Sequence, residues 1–101
     1  KINDNYGLCY NPEFIALGSV IHDLANPDSI LIGESNGKSG ELLSRFYLMT
    51  CENKPLIHRM SWENAEVAKI MLNVFVTTKI SLANTFAEVC NKIEGGDIDK
   101  V

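Results

Sequence analysis

The feature that most constrains the fold is the long stretch from Ser61 to Ile93, which contains neither glycine nor proline. Ser61 is suited to cap the start of a helix, Glu63 favours its first turn, and Gly95-Gly96 can end it. The pattern predicts one helix, which at 1.5 Å per residue would be roughly 50 Å long. Such a helix exceeds what a chain of 101 residues needs for its own core. We therefore expect protein outside this chain to cover part of it.

The first sixty residues alternate short strand-like and helix-like segments. Strands are predicted at Tyr6–Tyr10, Ser29–Ile32 and Leu56–Met60, and the consecutive apolar residues of Ser29–Ile32 indicate a buried strand. Helices are predicted at Ser19–Leu24 and around Leu42–Met49, the second with Tyr47 on its apolar side. The order β-α-β-α-β is typical of a parallel sheet. The sequence thus predicts an α/β fold with a sheet domain over residues 1–60 and a helical domain over residues 61–101.

The net charge and the hydropathy of the sequence limit the classes of partner that we expect. The net charge of -4 gives no long-range attraction for nucleic acid or for an anionic membrane surface. The most apolar run, Ile70–Val76, is interrupted by Asn73 and is far shorter than the roughly 20 residues of a membrane-spanning helix. We expect neither a nucleic-acid partner nor a membrane.

Three cysteines, Cys9, Cys51 and Cys90, lie far apart and form no C-x-x-C pair. Their spacing fits neither a zinc site nor a disulfide scaffold, and reduced thiols in the cytoplasm are expected. No metal site is predicted. The chain begins at Lys1 without an initiator methionine, a signal peptide or a tag, so a piece of a longer protein is expected.

Two segments of the sequence carry polar side chains that are suited to catalysis or to ligand binding. The predicted long helix is apolar on every side over Ile70–Val76 except at Asn73, so we expect it to be buried all round there, with Asn73 as a buried amide. Lys69 precedes Asn73 by one turn on the same face. Both can serve one polar site, or they can be a satisfied core amide beside a lysine that extends to solvent. Glu13 follows the first strand and is a candidate acid or base, or an ordinary loop carboxylate. Spacing alone leaves these alternatives open.

Three groups of residues resemble the UDP-glucose/GDP-mannose dehydrogenase family in order and spacing, over nearly the whole chain. They are Asn11-Pro12-Glu13-Phe14; Asn26-Pro27-Asp28 through Ile32-Gly33; and Glu66-Val67-Ala68-Lys69 leading to Asn73, Lys79-Ile80-Ser81 and Asn84. The resemblance implies that residues 1–60 are the C-terminal part of a Rossmann-like NAD-binding domain. The helix from Ser61 then corresponds to the central helix through which such enzymes form homodimers.

The resemblance also implies a reaction and site residues. These cytoplasmic enzymes of polysaccharide biosynthesis use NAD to oxidise the C6 alcohol of a nucleotide sugar to a carboxylate, through an aldehyde and a cysteine thioester. Glu13 corresponds to the glutamate that assists proton transfer, and Lys69 and Asn73 correspond to the pair that binds substrate and stabilises an oxyanion. Substrate binding is further assigned to Glu13 and to the loop at Phe14, Ile15 and Ala16.

Two positions depart from the family pattern. Leu17, the cofactor-binding candidate, stands where many relatives carry a second glutamate near the cofactor, and Ser29 replaces a common basic residue. The resemblance places the glycine fingerprint and the catalytic cysteine outside this chain. We therefore expect a dehydrogenase fragment that is inactive alone. The alternative is a non-catalytic helical module for dimerisation or assembly.

Overall fold

The computed structural model describes residues 1–14 and 17–101. It confirms the mixed α/β class and the long C-terminal helix. The chain divides into two compact units, Lys1–Lys69 and Ile70–Val101. In chain order the elements are β1 (Cys9–Tyr10), α1 (Val20–Ala25), β2 (Ser29–Glu34), α2 (Gly37–Thr50), β3 (Leu56–Ser61), α3 (Trp62–Cys90) and a final 3-10 turn (Ile98–Lys100).

Strand β2 is the centre of the sheet. It pairs in parallel with β3, in a register that runs from Ser29 opposite Leu56 to Glu34 opposite Ser61. Three consecutive apolar residues of β2, Ile30–Ile32, are buried, and Ile32 is 0% exposed. The consecutive apolar pattern is typical of a strand covered on both faces, so the prediction of a buried strand here is confirmed.

The direction of β1 corrects the prediction of an all-parallel sheet. β1 pairs antiparallel with β2, with Cys9 opposite Glu34 and Tyr10 opposite Gly33. The chain at β1 runs along the edge of β2 in the opposite direction. Antiparallel neighbours of this kind do not require a crossover helix between them. Helix α1, with six residues, is about 9 Å long and only turns the chain into β2.

A glycine in β2 allows three neighbours to approach closely. A Cβ atom at Gly33 would lie 2.8 Å from the Cβ of Ala65, 3.2 Å from the Cα of Trp62 and 3.3 Å from the Cβ of Tyr10. Ala65 is itself fully buried. Since these atoms come from β1 and from the first turn of α3, the missing side chain sets how closely both elements pack on β2.

Helix α2 is fixed at its start by a cap and by an arginine. The Asn36 side chain accepts a hydrogen bond from the Ser39 N–H at 2.9 Å. Arg59 of β3 donates to the carboxylates of Glu34 and Glu41, each at 2.7 Å, and to the Gly37 backbone oxygen at 2.7 Å. The hydrogen bond that Arg59 donates to Glu34 is the main reason that the pKa of Arg59 lies above its ordinary value. The arginine therefore links β2, α2 and β3.

The segment Asn26-Pro27 is joined to the chain that follows α2. Asn26 donates to the Glu52 carboxylate at 3.0 Å, and Asn53 donates to the Pro27 carbonyl at 2.8 Å. The Glu52 N–H also donates to the Ala25 carbonyl at 2.9 Å. These bonds satisfy polar groups at the end of α1 and fix the entry into β2.

The start of α3 agrees with the capping prediction. The hydroxyl of Ser61 accepts a hydrogen bond from the Asn64 N–H at 3.4 Å. A bond to its own backbone N–H and one to the Ser61 side chain lower the pKa of Glu63 below its ordinary value. Both contacts satisfy donors at the helix start.

In the unit Ile70–Val101, the helical part of α3 exposes most of its apolar side chains. The expectation that Ile70–Val76 is buried on every side is therefore wrong within this chain. One helix with a short tail offers no second layer against which such residues can pack. The exposed apolar residues are Ile70, Met71, Leu72, Val74, Phe75, Val76, Ile80, Leu82, Phe86, Val89, Ile93, Ile98 and Val101.

Helix α3 is also long and apolar enough to cross a membrane by length and composition alone. An 18-residue window of it reaches a mean hydropathy of 1.2. The sequence prediction considered only uninterrupted apolar runs. It did not identify this part of α3 as a possible membrane span, because Asn73 and charged residues interrupt it. The absence of a membrane partner stays a prediction.

We predict that Gly33→Ala destabilises the protein by roughly 1 to 3 kcal/mol, because the added methyl group overlaps the tightly packed atoms of Ala65, Trp62 and Tyr10. Urea unfolding measures the change. Gly37→Ala is the matched control, since its nearest neighbour would be the Arg59 guanidinium at an ordinary 3.7 Å. Equal unfolding midpoints for the two variants would contradict the close approach.

Candidate functional site

The loop that follows β1 is anchored by the side chain of Asn11. Its amide donates to the Leu31 carbonyl of β2 at 2.9 Å, and its oxygen accepts a hydrogen bond from the Tyr47 hydroxyl of α2. Burial is the main reason that the pKa of Tyr47 is raised above its ordinary value. The loop is thus held to both β2 and α2. Sequence reasoning placed Tyr47 on the apolar side of α2 and missed this role, because periodicity does not show where a hydroxyl points.

Lys69 joins α3 to this loop. Its ammonium nitrogen donates to the backbone oxygen of Glu13 at 2.5 Å and lies 4.4 Å from the centre of the Phe14 ring. The structure therefore brings together three residues that were assigned to one site from the sequence, although Lys69 and Glu13 are 56 residues apart. Lys69 is partly buried, and Glu13 is exposed.

Asn73 lies one turn after Lys69 on α3, in the unit Ile70–Val101. Its side chain is exposed, so the prediction of a buried amide is wrong within this chain. Its backbone carbonyl accepts a hydrogen bond from the Thr77 hydroxyl at 2.9 Å. The side-chain amide is therefore available to a ligand or to protein outside the chain.

The remaining residues that the sequence assigned to the site are Ile15, Ala16 and Leu17. Ile15 and Ala16 lie outside the described residues. Leu17, the cofactor-binding candidate, is 99% exposed in the turn before α1. The Leu17 side chain offers no polar contact to a dinucleotide, and the cofactor-binding role of this position stays a prediction.

A small cavity lies beside the loop in the unit Lys1–Lys69. Its volume is about 100 Å³, and Glu13, Phe14, Ser29 and Tyr47 are among its lining residues. Pockets for drug-sized ligands are typically about 300 to 1,000 Å³. This cavity is too small to enclose a nucleotide sugar, so the loop can provide only part of such a site.

The three thiols do not form a reactive centre among the described residues. Cys51 and Cys90 are buried, and Cys9 is partly buried. Burial and the Glu34 carboxylate raise the pKa of Cys9 above its ordinary value, against an opposing effect of Arg59. A raised pKa leaves less thiolate, which is the nucleophilic form. These features fit structural cysteines.

The two histidines and the tryptophan are also separate from the loop. His22 is exposed and lies 3.5 Å from an oxygen of Asp23, and His58 is exposed on β3. Trp62 donates a hydrogen bond from its indole nitrogen to the Leu8 carbonyl at 3.2 Å, which fits a structural role. Within residues 1–14 and 17–101, no group of three or more His, Cys, Asp or Glu side chains could hold a metal ion.

Two family models match the chain. Residues 1–50 match the model described as the UDP-glucose/GDP-mannose dehydrogenase family, NAD binding domain, and residues 63–101 match the central domain of the same family. The chain belongs to the UDP-glucose/GDP-mannose dehydrogenase family. The resemblance drawn from the sequence motifs is confirmed.

Similar proteins cover most of this chain. A UDP-glucose 6-dehydrogenase from Pseudomonas aeruginosa is 36% identical over 90% of the chain, which covers 20% of that relative. One from Bacillus subtilis is 33% identical over 96% of the chain, again covering 20% of the relative. The chain thus spans about a fifth of the length of these curated relatives.

Solved structures of family members have the same fold. A ternary complex of GDP-mannose dehydrogenase from Pseudomonas aeruginosa matches with a TM-score of 0.83 and 29% identity, over 96% of this chain and 21% of that one. A UDP-glucose dehydrogenase from Pyrobaculum islandicum matches with a TM-score of 0.76 and 30% identity, over 84% of this chain and 19% of that one. The sheet and the long helix therefore have the fold of the corresponding segment in these dehydrogenases.

We predict that Tyr47→Phe lowers the free energy of unfolding by about 1 kcal/mol, because the Asn11 oxygen loses its hydrogen-bond donor. Thermal or urea unfolding measures the loss. Tyr6→Phe is the matched control, since Tyr6 is 59% exposed and its hydroxyl contributes no bond to the loop. A Tyr47 variant as stable as the Tyr6 variant would contradict the anchoring role.

Proposed function

We propose that this chain is the segment of an NAD-dependent nucleotide-sugar 6-dehydrogenase that carries part of its substrate site. The enzyme oxidises the C6 alcohol of a UDP- or GDP-sugar to the uronate. The observation that carries the proposal is the contact of Lys69 with the Glu13-Phe14 backbone and ring, in a chain that matches two consecutive domains of one dehydrogenase family. In this proposal residues 1–60 close the NAD-binding domain, and residues 61–101 begin the central domain.

Lys69 and Asn73 are the proposed oxyanion donors. They are spaced one turn apart along the sequence of α3. A positive charge and an amide aimed at a developing oxyanion stabilise the transition state more than the ground state. We assign them the binding of the substrate and the stabilisation of negative charge on oxygen.

Glu13 is the proposed group for proton transfer in hydrolysis of the thioester. Lys69 bonds its backbone oxygen rather than its carboxylate, so the carboxylate can act as a base toward water. The side chain is exposed in this chain, and an incoming substrate can therefore reach it. Backbone groups of Phe14, Ile15 and Ala16 are proposed to contact the sugar.

The proposed cofactor is NAD, in agreement with the NAD-binding description of the model that matches residues 1–50. When bound, NAD supplies the hydride acceptor for the oxidation. The 101 residues contain no G-x-G-x-x-G loop, and exposed Leu17 offers no polar group. The roles given to Glu13, Lys69 and Asn73 do not depend on a dinucleotide site within this chain.

The proposed quaternary structure is a homodimer through α3, in a cytoplasmic enzyme of polysaccharide biosynthesis. Met71, Phe75 and Leu82 lie on the side of the helix opposite Asn73 and are exposed. A protein partner on that side buries them and leaves Asn73 accessible. Lys69 and Lys79 lie within α3, and charged groups at membrane depth are costly, which favours a protein partner over lipid.

We predict that Lys69→Met in the intact protein lowers kcat for nucleotide-sugar oxidation by roughly 100- to 1,000-fold, because a preorganised charge is lost from the oxyanion site. Asn73→Ala is expected to lower kcat in the same direction. NADH absorbance with UDP-glucose or GDP-mannose measures both. Lys92→Met removes a lysine that is exposed after α3, and it is expected to retain activity.

The same experiment separates the dehydrogenase from the alternative role as an assembly module. Exposed apolar residues on α3 are the observation that favours the alternative. If Lys69→Met and Asn73→Ala retain full turnover and the protein still associates, these residues are structural and the catalytic assignment fails.

We predict that Leu82→Asp weakens self-association of the intact protein by roughly tenfold or more, because a charge enters an apolar interface. Leu82 is 55% exposed in this chain. Sedimentation equilibrium measures the dissociation constant. Asn91→Asp adds the same charge just beyond the helix and is the control. A Leu82 variant that associates as tightly as the control would rule out this face of α3 as the interface.

A further inference from the structure

We infer that the aromatic ring of Phe14 is a positioning residue for Lys69, and that it holds the ammonium group at the loop through a cation-π contact. The inference rests on the role proposed above for Lys69. It adds a function for the Phe14 side chain, whereas the substrate contact assigned to this residue involves its backbone.

The contact geometry restrains a flexible side chain from two directions. The Lys69 nitrogen donates to the Glu13 backbone oxygen at 2.5 Å and lies 4.4 Å from the centre of the Phe14 ring. A lysine ammonium carries three donors on a mobile four-carbon chain. One donor is used by the carbonyl and the ring attracts the charge, so the nitrogen stays at the loop with donor capacity left for an oxyanion.

The ring is not needed for the core of the sheet. Phe14 is 37% exposed, whereas the core residues of β2 are buried. At Phe14 the ring also meets the Lys69 cation, which the negative charge of the ring face attracts. Leucine at this position keeps much of the apolar volume and has no negative ring face, so the electrostatic part can be separated from packing.

A second lysine of the chain provides a comparison. The Lys79 nitrogen lies 5.3 Å from the centre of the Phe75 ring, and these residues are neighbours one turn apart on α3. Helical neighbours meet in this way without any tertiary structure. Lys69 and Phe14 are 55 positions apart in the sequence, so only the fold brings them together.

The first test compares Phe14→Leu with Phe14→Tyr in the intact enzyme. We expect Phe14→Leu to lower kcat roughly 3- to 30-fold with little change in KM, and to lower it more than Phe14→Tyr does, because tyrosine keeps the ring face. Equal kcat for the Leu and Tyr variants at position 14 would overturn the inference.

The second test changes the ring without changing its shape. Phenylalanines with one, two and three ring fluorines at position 14 weaken the negative face stepwise, so kcat is expected to fall stepwise. This series remains decisive even if Phe14→Leu does not fold. A kcat that is independent of the number of fluorines would overturn the inference.

A spectroscopic readout separates failure of the inference from failure of the proposed function. The NMR signal of the methylene group beside the Lys69 nitrogen is expected to be shifted upfield by the ring, relative to Lys92, and to lose that shift in Phe14→Leu. If the shift is present but Lys69→Met keeps full turnover, the contact is real and the catalytic role of Lys69 is wrong. If the shift is absent, the positioning role of Phe14 is wrong whatever the activity of the Lys69 variant.

Discussion

The pairing of β2 along both of its edges is the constraint on which the rest of the structure depends. Its apolar residues Ile30–Ile32 lie in the core, β3 pairs with it in parallel, and β1 pairs with it antiparallel. Gly33 lets Tyr10 and the first turn of α3 pack within van der Waals distance of the strand. The positions of the loop after β1 and of the start of α3 are thus both set by one strand.

That arrangement explains how Lys69 reaches the loop. From Cys9 to Glu13 the extended chain can run back along β2 for about 13 Å. From Trp62 to Lys69 helix α3 advances about 10 Å. Both segments begin near the carboxyl end of β2, since Cys9 is opposite Glu34 and the Trp62 Cα lies close to Gly33. Their similar lengths bring the Lys69 nitrogen to the Glu13 carbonyl.

Much of this fold could be predicted from local patterns, because strands and helices here carry strong signals. The run Ile30–Ile32 indicated a buried strand, and the stretch without glycine or proline indicated α3. The antiparallel direction of β1 could not be predicted, since a two-residue strand has no pattern that shows its direction. The hydrogen bond from Tyr47 to Asn11 was missed for a related reason: it joins residues 36 positions apart.

The residues that meet at the candidate site could be predicted in part from the sequence. The family motifs selected Glu13, Phe14 and Lys69, and the structure brings them into contact. The burial expected for Asn73 required a partner that this chain does not contain. Apolar periodicity shows that a surface is to be covered, but not whether the same chain covers it. In this chain the apolar side chains of α3 are exposed, although their pattern indicates a surface that is to be covered.

The central claim is that these 101 residues hold part of the substrate site of a nucleotide-sugar 6-dehydrogenase and depend on other residues for catalysis. The most direct test measures the NADH formed per UDP- or GDP-sugar consumed, for the intact protein and for the 101-residue chain alone. We expect two NADH per uronate from the intact protein and none from the chain alone. Robust turnover by the chain alone, or an intact protein that forms no NADH with any nucleotide sugar, would contradict it.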